Sequence, residues 1–164
     1  MTQYEYITIT VGTITLIILA IQLFMLHKTY KADHERRKKQ STIEYINSIR
    51  DKYKAVAKKL NTKFGERVIN VDEIEQDDKK NIKEFLSIIE HLSVGILTDV
   101  YDFQILKRMS RRYFIRMYEK LQPYMNDARK KAGPNSQTIY CEFEELYKRL
   151  SASIHDNTGK IKNS

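Results

Sequence analysis

The sequence contains little of what rigid loops, β-sheets or disulfide scaffolds require. Its 164 residues include one cysteine, two prolines, five glycines and no tryptophan. The lone Cys141 excludes an intrachain disulfide and any Cys-x-x-Cys metal site, and it suits a reducing compartment. So few turn-forming residues argue against a loop-rich or β-rich chain. The remainder is rich in Lys, Glu, Ile and Leu and predicts an all-α protein.

Patterns that carry catalysis or bind cofactors are also absent from the sequence. It has no Gly-rich phosphate loop and no GxSxG or HExxH motif. The acidic neighbours of Cys141, namely Glu142, Glu144 and Glu145, are expected to raise the pKa of its thiol, which argues against a nucleophile. We therefore expect no catalytic site, no cofactor and no metal. The histidines are too far apart for a zinc site: His27, His34, His91 and His155.

Two groups of acidic residues have both a chemical and a structural interpretation. Asp99 and Asp102, three residues apart, could form a carboxylate pair, but we favour their action as helix caps. Glu90 and His91 are adjacent and so point to different sides of a helix. We expect structural roles for all four.

The longest apolar run, Ile7 to Leu26, reads ITITVGTITLIILAIQLFML and contains no charged residue. At about 1.5 Å per residue such a helix covers the roughly 30 Å hydrocarbon core of a bilayer. We favour a transmembrane helix over a buried soluble one, because a short chain seldom hides a helix that is apolar on every side. The leader, 1–6, has no basic residue, and no small-residue cleavage site follows the run, which argues against a cleaved signal peptide.

The net charge of +8 is concentrated directly after this run. Between Lys28 and Lys63 there are twelve basic and four acidic residues, and the rest of the chain sums to zero. An excess of Lys and Arg marks the cytoplasmic side of a span. We therefore predict a single-pass protein of the inner (cytoplasmic) membrane, with its N-terminus outside and the chain from His27 onward in the cytoplasm.

The basic segment 27–42, here called the stalk, is expected to be helical and to contact anionic lipid. Each Lys or Arg near such a surface contributes roughly 1 kcal/mol. Nucleic acid would also be attracted, but topology alone requires a basic flank, so we do not expect it as a partner. The predicted membrane-surface residues are Lys28, Lys31, Arg36, Arg37, Lys38 and Lys39.

Small and polar residues of the apolar run fall on one face of a helix, and we call this face the seam. It consists of Thr8, Gly12, Thr15 and Gln22, spaced by four, three and seven residues. Small residues let membrane helices approach closely, and a Gln side chain can hydrogen-bond to a partner helix. The seam predicts self-association or pairing with a partner. In the alternative, the threonines bond to their own helix and Gln22 reaches the headgroups.

Beyond the stalk we predict a cytoplasmic bundle of about five helices in residues 43–153, followed by a flexible tail, 154–164. The S-T-I-E pattern from Ser41 to Glu44 indicates that a helix starts or changes register there. Gly65 is a stop signal.

The remaining helix boundaries follow from capping patterns and from proline. Asp72 with Glu75 indicates a second helix start. Shorter helices are expected from Phe103 and from Ser110, and Pro123 should kink the latter or end it near Leu121. Further boundary signals are Gly133-Pro134 as a stop, with Ser136 or Thr138 opening the last helix.

Apolar residues that recur every three or four positions define the inward faces of these helices. They are Ile43, Ile46, Ile49, Tyr53, Val56 and Leu60; then Phe85, Ile88, Ile89, Leu92 and Ile96; then Phe114, Met117, Tyr118, Leu121, Met125 and Ala128; and finally Ile139, Phe143, Leu146 and Leu150.

One basic cluster in the bundle is a candidate anion or partner site, and we call it the α3 patch. Arg together with aromatic side chains, here Tyr113 and Tyr118, can bind phosphate or a nucleotide. We favour the structural interpretation, in which the cluster forms a solvated face or pairs with Glu90, Asp99 and Asp102 within the bundle. The patch consists of Lys107, Arg108, Arg111, Arg112 and Arg116.

The chain resembles a bacterial family known as a domain of unknown function. Four stretches carry the resemblance: RRKKQSTIEYI, FLSIIEHLSVGILTDVYD, YEKLQPYMNDAR and CEFEELYKRL, over roughly Arg36 to Leu150. The resemblance implies one N-terminal span, a basic stalk and a small helical domain, and it implies no activity. The family pattern is clearest at Glu90, Gly95, Tyr101, Asp102, Pro123 and Arg129.

These observations predict a membrane-anchored interaction or regulatory module that oligomerises or recruits a protein partner at the cytoplasmic membrane face. The alternative is an effector that disrupts the membrane, for example in phage defence. A membrane-tethered enzyme or a phosphate- or nucleotide-binding domain comes third.

Overall fold

Four α-helices make up most of this chain. The computed structural model describes residues 3–161, with the backbone alone for 5–10, 135, 137 and 154–161. The helices are α1 (Gln3–Phe64), α2 (Gln76–Leu97), α3 (Phe103–Lys131) and α4 (Cys141–Ile161), joined in part by short 3₁₀ turns at Val71–Glu73 and Gly133–Thr138. No β-strand occurs within residues 3–161, and the all-α prediction is confirmed.

The chain divides into two compact units, Met1–Lys38 and Lys39–Ser164. In the first unit, α1 is long and apolar enough to cross a membrane, with a mean hydropathy of 1.8 and no burial in its most apolar window. Eleven apolar side chains between Val11 and Leu26 are each 49–70% exposed. The helix continues through the stalk without a break, as predicted.

In the second unit, α3 runs parallel to the last part of α1, in a register offset by sixty residues. The Asp102 N–H donates to Thr42 Oγ1 over 2.7 Å. The ring centroids of Tyr53 and Tyr113 are 4.7 Å apart, and Lys120 Nζ donates to the side chain of Asn61 over 2.6 Å. Three contacts at nearly the same offset require two helices that run in the same direction.

Helix α2 returns antiparallel to α1. Near its start, Asp78 pairs with Lys63 over 2.6 Å. Beyond its end, the ring of Tyr101 stacks on Tyr45, with centroids 5.0 Å apart. Helix α4 packs against both α2 and α3.

The core of the second unit lies where these four helices meet. Its largest fully buried side chains include three phenylalanines, one from each of the last three helices: Phe85, Phe114 and Phe143. The predicted inward faces are largely confirmed. Ile43 is an exception, because it is 39% exposed and the neighbouring Thr42 is buried in its place.

Several predicted boundaries are wrong. No helix starts at Ser41, because α1 passes through it and Glu44 accepts a hydrogen bond from the Gln40 side chain. Helix α2 begins at Gln76, four residues after Asp72, and α4 begins at Cys141. Other boundaries are confirmed: Gly65 follows α1 with a positive φ of 64°, and Asp102 caps α3.

Within the described part of the second unit, 39–161, there are four α-helices rather than about five, because the segments from Phe103 and Ser110 form one helix. That helix, α3, also continues through Pro123 to Lys131. Of the two outcomes predicted for Pro123, the end near Leu121 is wrong and the kink stays a prediction. Burial explains the continuation, since Tyr124 and Met125 directly after the proline are only 5% and 1% exposed. The side chains of 154–161 and all of 162–164 lie outside the described part of the chain. The flexibility predicted for the tail, 154–164, therefore stays a prediction.

Candidate functional site

The seam lies on an exposed part of α1. A Cβ added to Gly12 would meet nothing within 4 Å, so this face is open. The Thr15 hydroxyl donates to the Val11 carbonyl over 2.8 Å, which is the intrahelical alternative that the sequence left open. Gln22 is exposed. The side chain of Thr8 lies outside the described residues.

The basic side chains of the stalk are exposed, except for the half-buried Lys38. Arg37 forms an ion pair with Asp33, one helical turn earlier, over 2.9 Å. Exposed pairs of this kind contribute little to stability and are screened by salt. The stalk therefore presents its positive charge to the solvent.

The α3 patch surrounds an open depression of about 640 Å³ on α3. Four of its five cations line this depression, namely Lys107, Arg108, Arg111 and Arg112, together with Gln104, Met109, Ser110 and Tyr113. Among the described residues, no acidic side chain lines it. Arg116 pairs with Glu66 at 3.3 Å, and no described ion pair joins the patch to Glu90 or Asp102.

Tyr113 and Tyr118, the two tyrosines of this stretch, make contacts within the helical bundle. The Tyr113 hydroxyl donates to the Tyr53 carbonyl over 3.1 Å, and burial, followed by the nearby Tyr53, raises the pKa of Tyr113. Tyr118 is 5% exposed and stacks on Tyr147 at 4.0 Å. Tyr113 nevertheless lines the depression beside the arginines, and joint action of these rings and the arginines on a ligand stays a prediction.

A buried lysine beside the α3 patch, Lys120, caps the C-terminus of α1. Lys120 is 3% exposed, and its ammonium group donates to Asn61 and to the carbonyls of Leu60 and Gly65. The last carbonyls of a helix lack intrahelical partners, and a cation there also complements the helix dipole. Burial lowers the pKa of Lys120, while Glu66 opposes that shift. Sequence reasoning missed this role, because the lysine looks like any other in a basic helix.

Glu90 and Arg129 join α2 and α3 to the start of α4. The carboxylate of Glu90 accepts hydrogen bonds from the N–H groups of Glu142 and Phe143 over 3.1 and 2.9 Å. Arg129 donates to the carbonyls of Ile139 and Tyr140, and it pairs with Glu144 over 2.7 Å. Glu90 therefore supplies, from another helix, the anion that a helix N-terminus favours.

The contacts of Glu90 and Arg129 at the start of α4 accompany an unusual backbone angle at Tyr140 and a raised pKa of Glu90. Tyr140, held by Arg129, has a positive φ of 56°, which is unusual for a tyrosine. Burial raises the pKa of Glu90, although its two backbone hydrogen bonds oppose the shift. Burial, followed by the charges of Glu142 and Glu90, also raises the pKa of the Cys141 thiol. The predicted direction for Cys141 is confirmed, with burial as the larger cause.

The same region offers no cluster for a metal among the described residues. Within them, no group of three His, Cys, Asp or Glu side chains could hold an ion.

Most of the positions at which the family pattern is clearest lie where helices connect, whereas Pro123 lies inside α3. Glu90 and Arg129 hold the start of α4, Asp102 caps α3 by accepting from the Ile105 N–H over 3.0 Å, and Tyr101 packs directly over Gly95. These positions determine how the helices connect.

Comparison with known proteins agrees with that architecture. No curated protein and no solved structure matches the chain. A family model described as a domain of unknown function, DUF4760, matches residues 9–150, which extends the resemblance towards the N-terminus beyond Arg36. Because the match covers most of the sequence, the chain belongs to the DUF4760 family.

Proposed function

We propose that this protein is a single-pass, membrane-anchored interaction module whose helical unit acts at the cytoplasmic membrane face. The observation that carries the proposal is the apolar part of α1, from Val11 to Leu26, whose side chains no described part of the chain covers. A continuous apolar surface of this kind is unstable in water and needs lipid or another helix to cover it.

The charge distribution supports the orientation. The uncharged run from Ile7 to Leu26 is followed by the exposed basic stalk. Its cations remain on the cytoplasmic side during insertion, and they attract anionic headgroups at short range. The N-terminus is then outside and the second unit is inside.

The use of buried polar groups supports an interaction role for the second unit. Three of its buried or half-buried charged side chains, Glu90, Lys120 and Arg129, each connect one helix to another part of the fold. The second unit exposes a helical surface that carries the α3 patch. Such a surface can recruit a partner, and the open seam of the span allows self-association.

A topology measurement tests the proposal. A fluorescent reporter that folds only in the cytoplasm, fused after Ser164, should be active, and the fusion should remain in the membrane after alkaline carbonate extraction. An alkaline phosphatase fusion at the same position, which works only outside, should be inactive. The matched variant replaces Arg36, Arg37, Lys38 and Lys39 by Gln and should lose part of this orientation bias.

Two results would contradict the proposal. Release of the fusion by carbonate would exclude the anchor, and an active phosphatase with a dark fluorescent reporter would exclude the orientation. Growth arrest that disappears when the apolar run is deleted would instead favour a membrane-disrupting effector.

A further inference from the structure

We infer that the α3 patch is a binding site for clustered phosphate groups, such as a polyphosphate or a phosphorylated headgroup. This goes beyond the interaction role proposed above and does not depend on the anchor. The site is the depression of about 640 Å³ that Lys107, Arg108, Arg111 and Arg112 line.

The spacing of the cations favours a single anion with several charges. Lys107 and Arg111, and likewise Arg108 and Arg112, lie one helical turn apart, so their heads share one face of α3. Four positive charges around one depression call for a compact, multiply charged ligand. A phosphomonoester supplies about −1.5 to −2 charge and three strong acceptor oxygens, and arginine binds phosphate with two parallel hydrogen bonds.

The patch costs the folded protein stability. Like charges one turn apart on a helix destabilise it by roughly 0.2–0.5 kcal/mol per pair, and the described residues provide no acidic partner for the four cations. An anion in the depression would remove this repulsion. By contrast, Arg116 at the edge of the patch is already paired with Glu66.

The surroundings of the patch argue against other classes of anionic ligand. Tyr113 lines the depression, but its hydroxyl is bonded to the Tyr53 carbonyl and its ring packs on Tyr53, while Tyr118 is buried against Tyr147, so neither ring stands free for a nucleobase to stack on. Met109 is the only aliphatic side chain among the lining residues, whereas an acidic peptide usually needs apolar anchors to bind. The recognised group is thus the phosphate itself.

Calorimetry on the full chain in neutral detergent micelles tests this inference, with sodium tripolyphosphate as the probe and sodium sulfate at matched ionic strength as the reference. Wild type should bind tripolyphosphate saturably. Replacing Arg108 and Arg112 by Gln should weaken binding by a factor of about 10 or more, as expected for lost charge-assisted hydrogen bonds. Replacing both by Lys should give an intermediate loss, because the charge remains and the bidentate geometry does not.

The matched control removes two charges from another exposed surface. Lys58 and Lys59 on α1 are both exposed. Replacing them by Gln should change the affinity by less than about twofold, because it removes only a long-range attraction that salt screens. Equal weakening in both double variants, or the absence of saturable binding to wild type, would overturn the inference.

Two kinds of nanodisc then distinguish the source of the phosphate. Phosphatidic acid carries a phosphomonoester, whereas phosphatidylglycerol is anionic without one. If the patch takes headgroups, tripolyphosphate should bind more weakly to the chain in phosphatidic acid discs than in phosphatidylglycerol discs. If it takes a soluble phosphate compound, both discs should give the same affinity.

Discussion

Tyr101 covers Gly95 so closely that a Cβ atom on Gly95 would lie 2.3 Å from Cδ2 of the tyrosine ring. The same ring, in the turn from α2 to α3, stacks on Tyr45, and the Tyr101 N–H donates to the Gly95 carbonyl over 2.8 Å. Glycine at position 95 therefore allows the turn between these helices to lie against α1.

Gly95→Ala should destabilise the protein despite the better helix propensity of alanine. Forcing an extra carbon into a packed contact typically costs about 1–3 kcal/mol, more than the roughly 1 kcal/mol that alanine gains over glycine in a helix. Thermal unfolding of the full chain should show a lower Tm, whereas Ser87→Ala on the exposed face of α2 should not. In a Tyr101→Ala background the glycine substitution should no longer destabilise, and a full cost there would contradict the contact.

Glu90→Gln should weaken the start of α4 and alter the pH dependence of stability. An amide has one acceptor oxygen, so one of the two N–H groups at Glu142 and Phe143 loses its partner, which costs about 1–3 kcal/mol.

The sign of the pH effect follows from the raised pKa of Glu90. Between the ordinary value of 4.5 and the raised value, the folded state binds more protons than the unfolded state. Wild type therefore loses stability from this group as pH rises through that window, and Glu90→Gln does not. The free energy of unfolding, measured against pH for both proteins, should differ most on the acidic side. A constant difference would contradict the assignment.

Pro123→Ala should stabilise the protein. Proline inside α3 lacks the N–H that would bond to the Glu119 carbonyl, and it costs up to about 3 kcal/mol in a helix interior. Part of the gain is offset because alanine makes the unfolded chain more flexible, by about 0.4–1 kcal/mol. Urea unfolding should show a higher midpoint than wild type, while Gln122→Ala should stay near it. A lower midpoint for Pro123→Ala would mean that the ring makes packing contacts that matter more than the missing hydrogen bond.

Gly12→Ile should disrupt association of the span more than other changes in it. A branched side chain on the open face holds two helices apart while it keeps the span hydrophobic. Gln22→Leu should weaken association by about 1 kcal/mol, the scale of an interhelical hydrogen bond in a membrane. Ile18→Leu, off the seam, is the control. An in-membrane association assay on these variants tests whether the seam mediates the contact. If Gly12→Ile associates as strongly as wild type, the seam is not the contact and self-association would have to involve the helical unit.

The sequence predicts the helical periodicity of this fold well because burial alone determines it. Phe85, Leu92 and Ile96 form a regular apolar face and are fully or almost fully buried. Gly65 and Asp102 mark helix ends through local backbone chemistry, which is readable at the residue itself.

Features that depend on distant residues could not be predicted in this way. Ser41 has a capping pattern, but its neighbours continue the helix. Helix α3 continues through Pro123 because Tyr124 and Met125 are buried in the core. The cations of the α3 patch could be identified from sequence. That Lys107, Arg108, Arg111 and Arg112 have no acidic partner among the described residues depends on tertiary packing, and so does the packing of Tyr113.

The sixty-residue offset between α1 and α3 has a consequence for synthesis of the chain. Tyr53, Leu60 and Asn61 leave the ribosome long before Tyr113 and Lys120, which contact them in the finished fold. At about 5–20 residues per second, the interval is roughly 3–12 s. For that time the part of the nascent α1 that α3 covers lacks this native partner and is open to chaperones or to a neighbouring nascent chain. Polysomes that bring nascent copies together would therefore favour pairing between α1 helices before any bundle is complete.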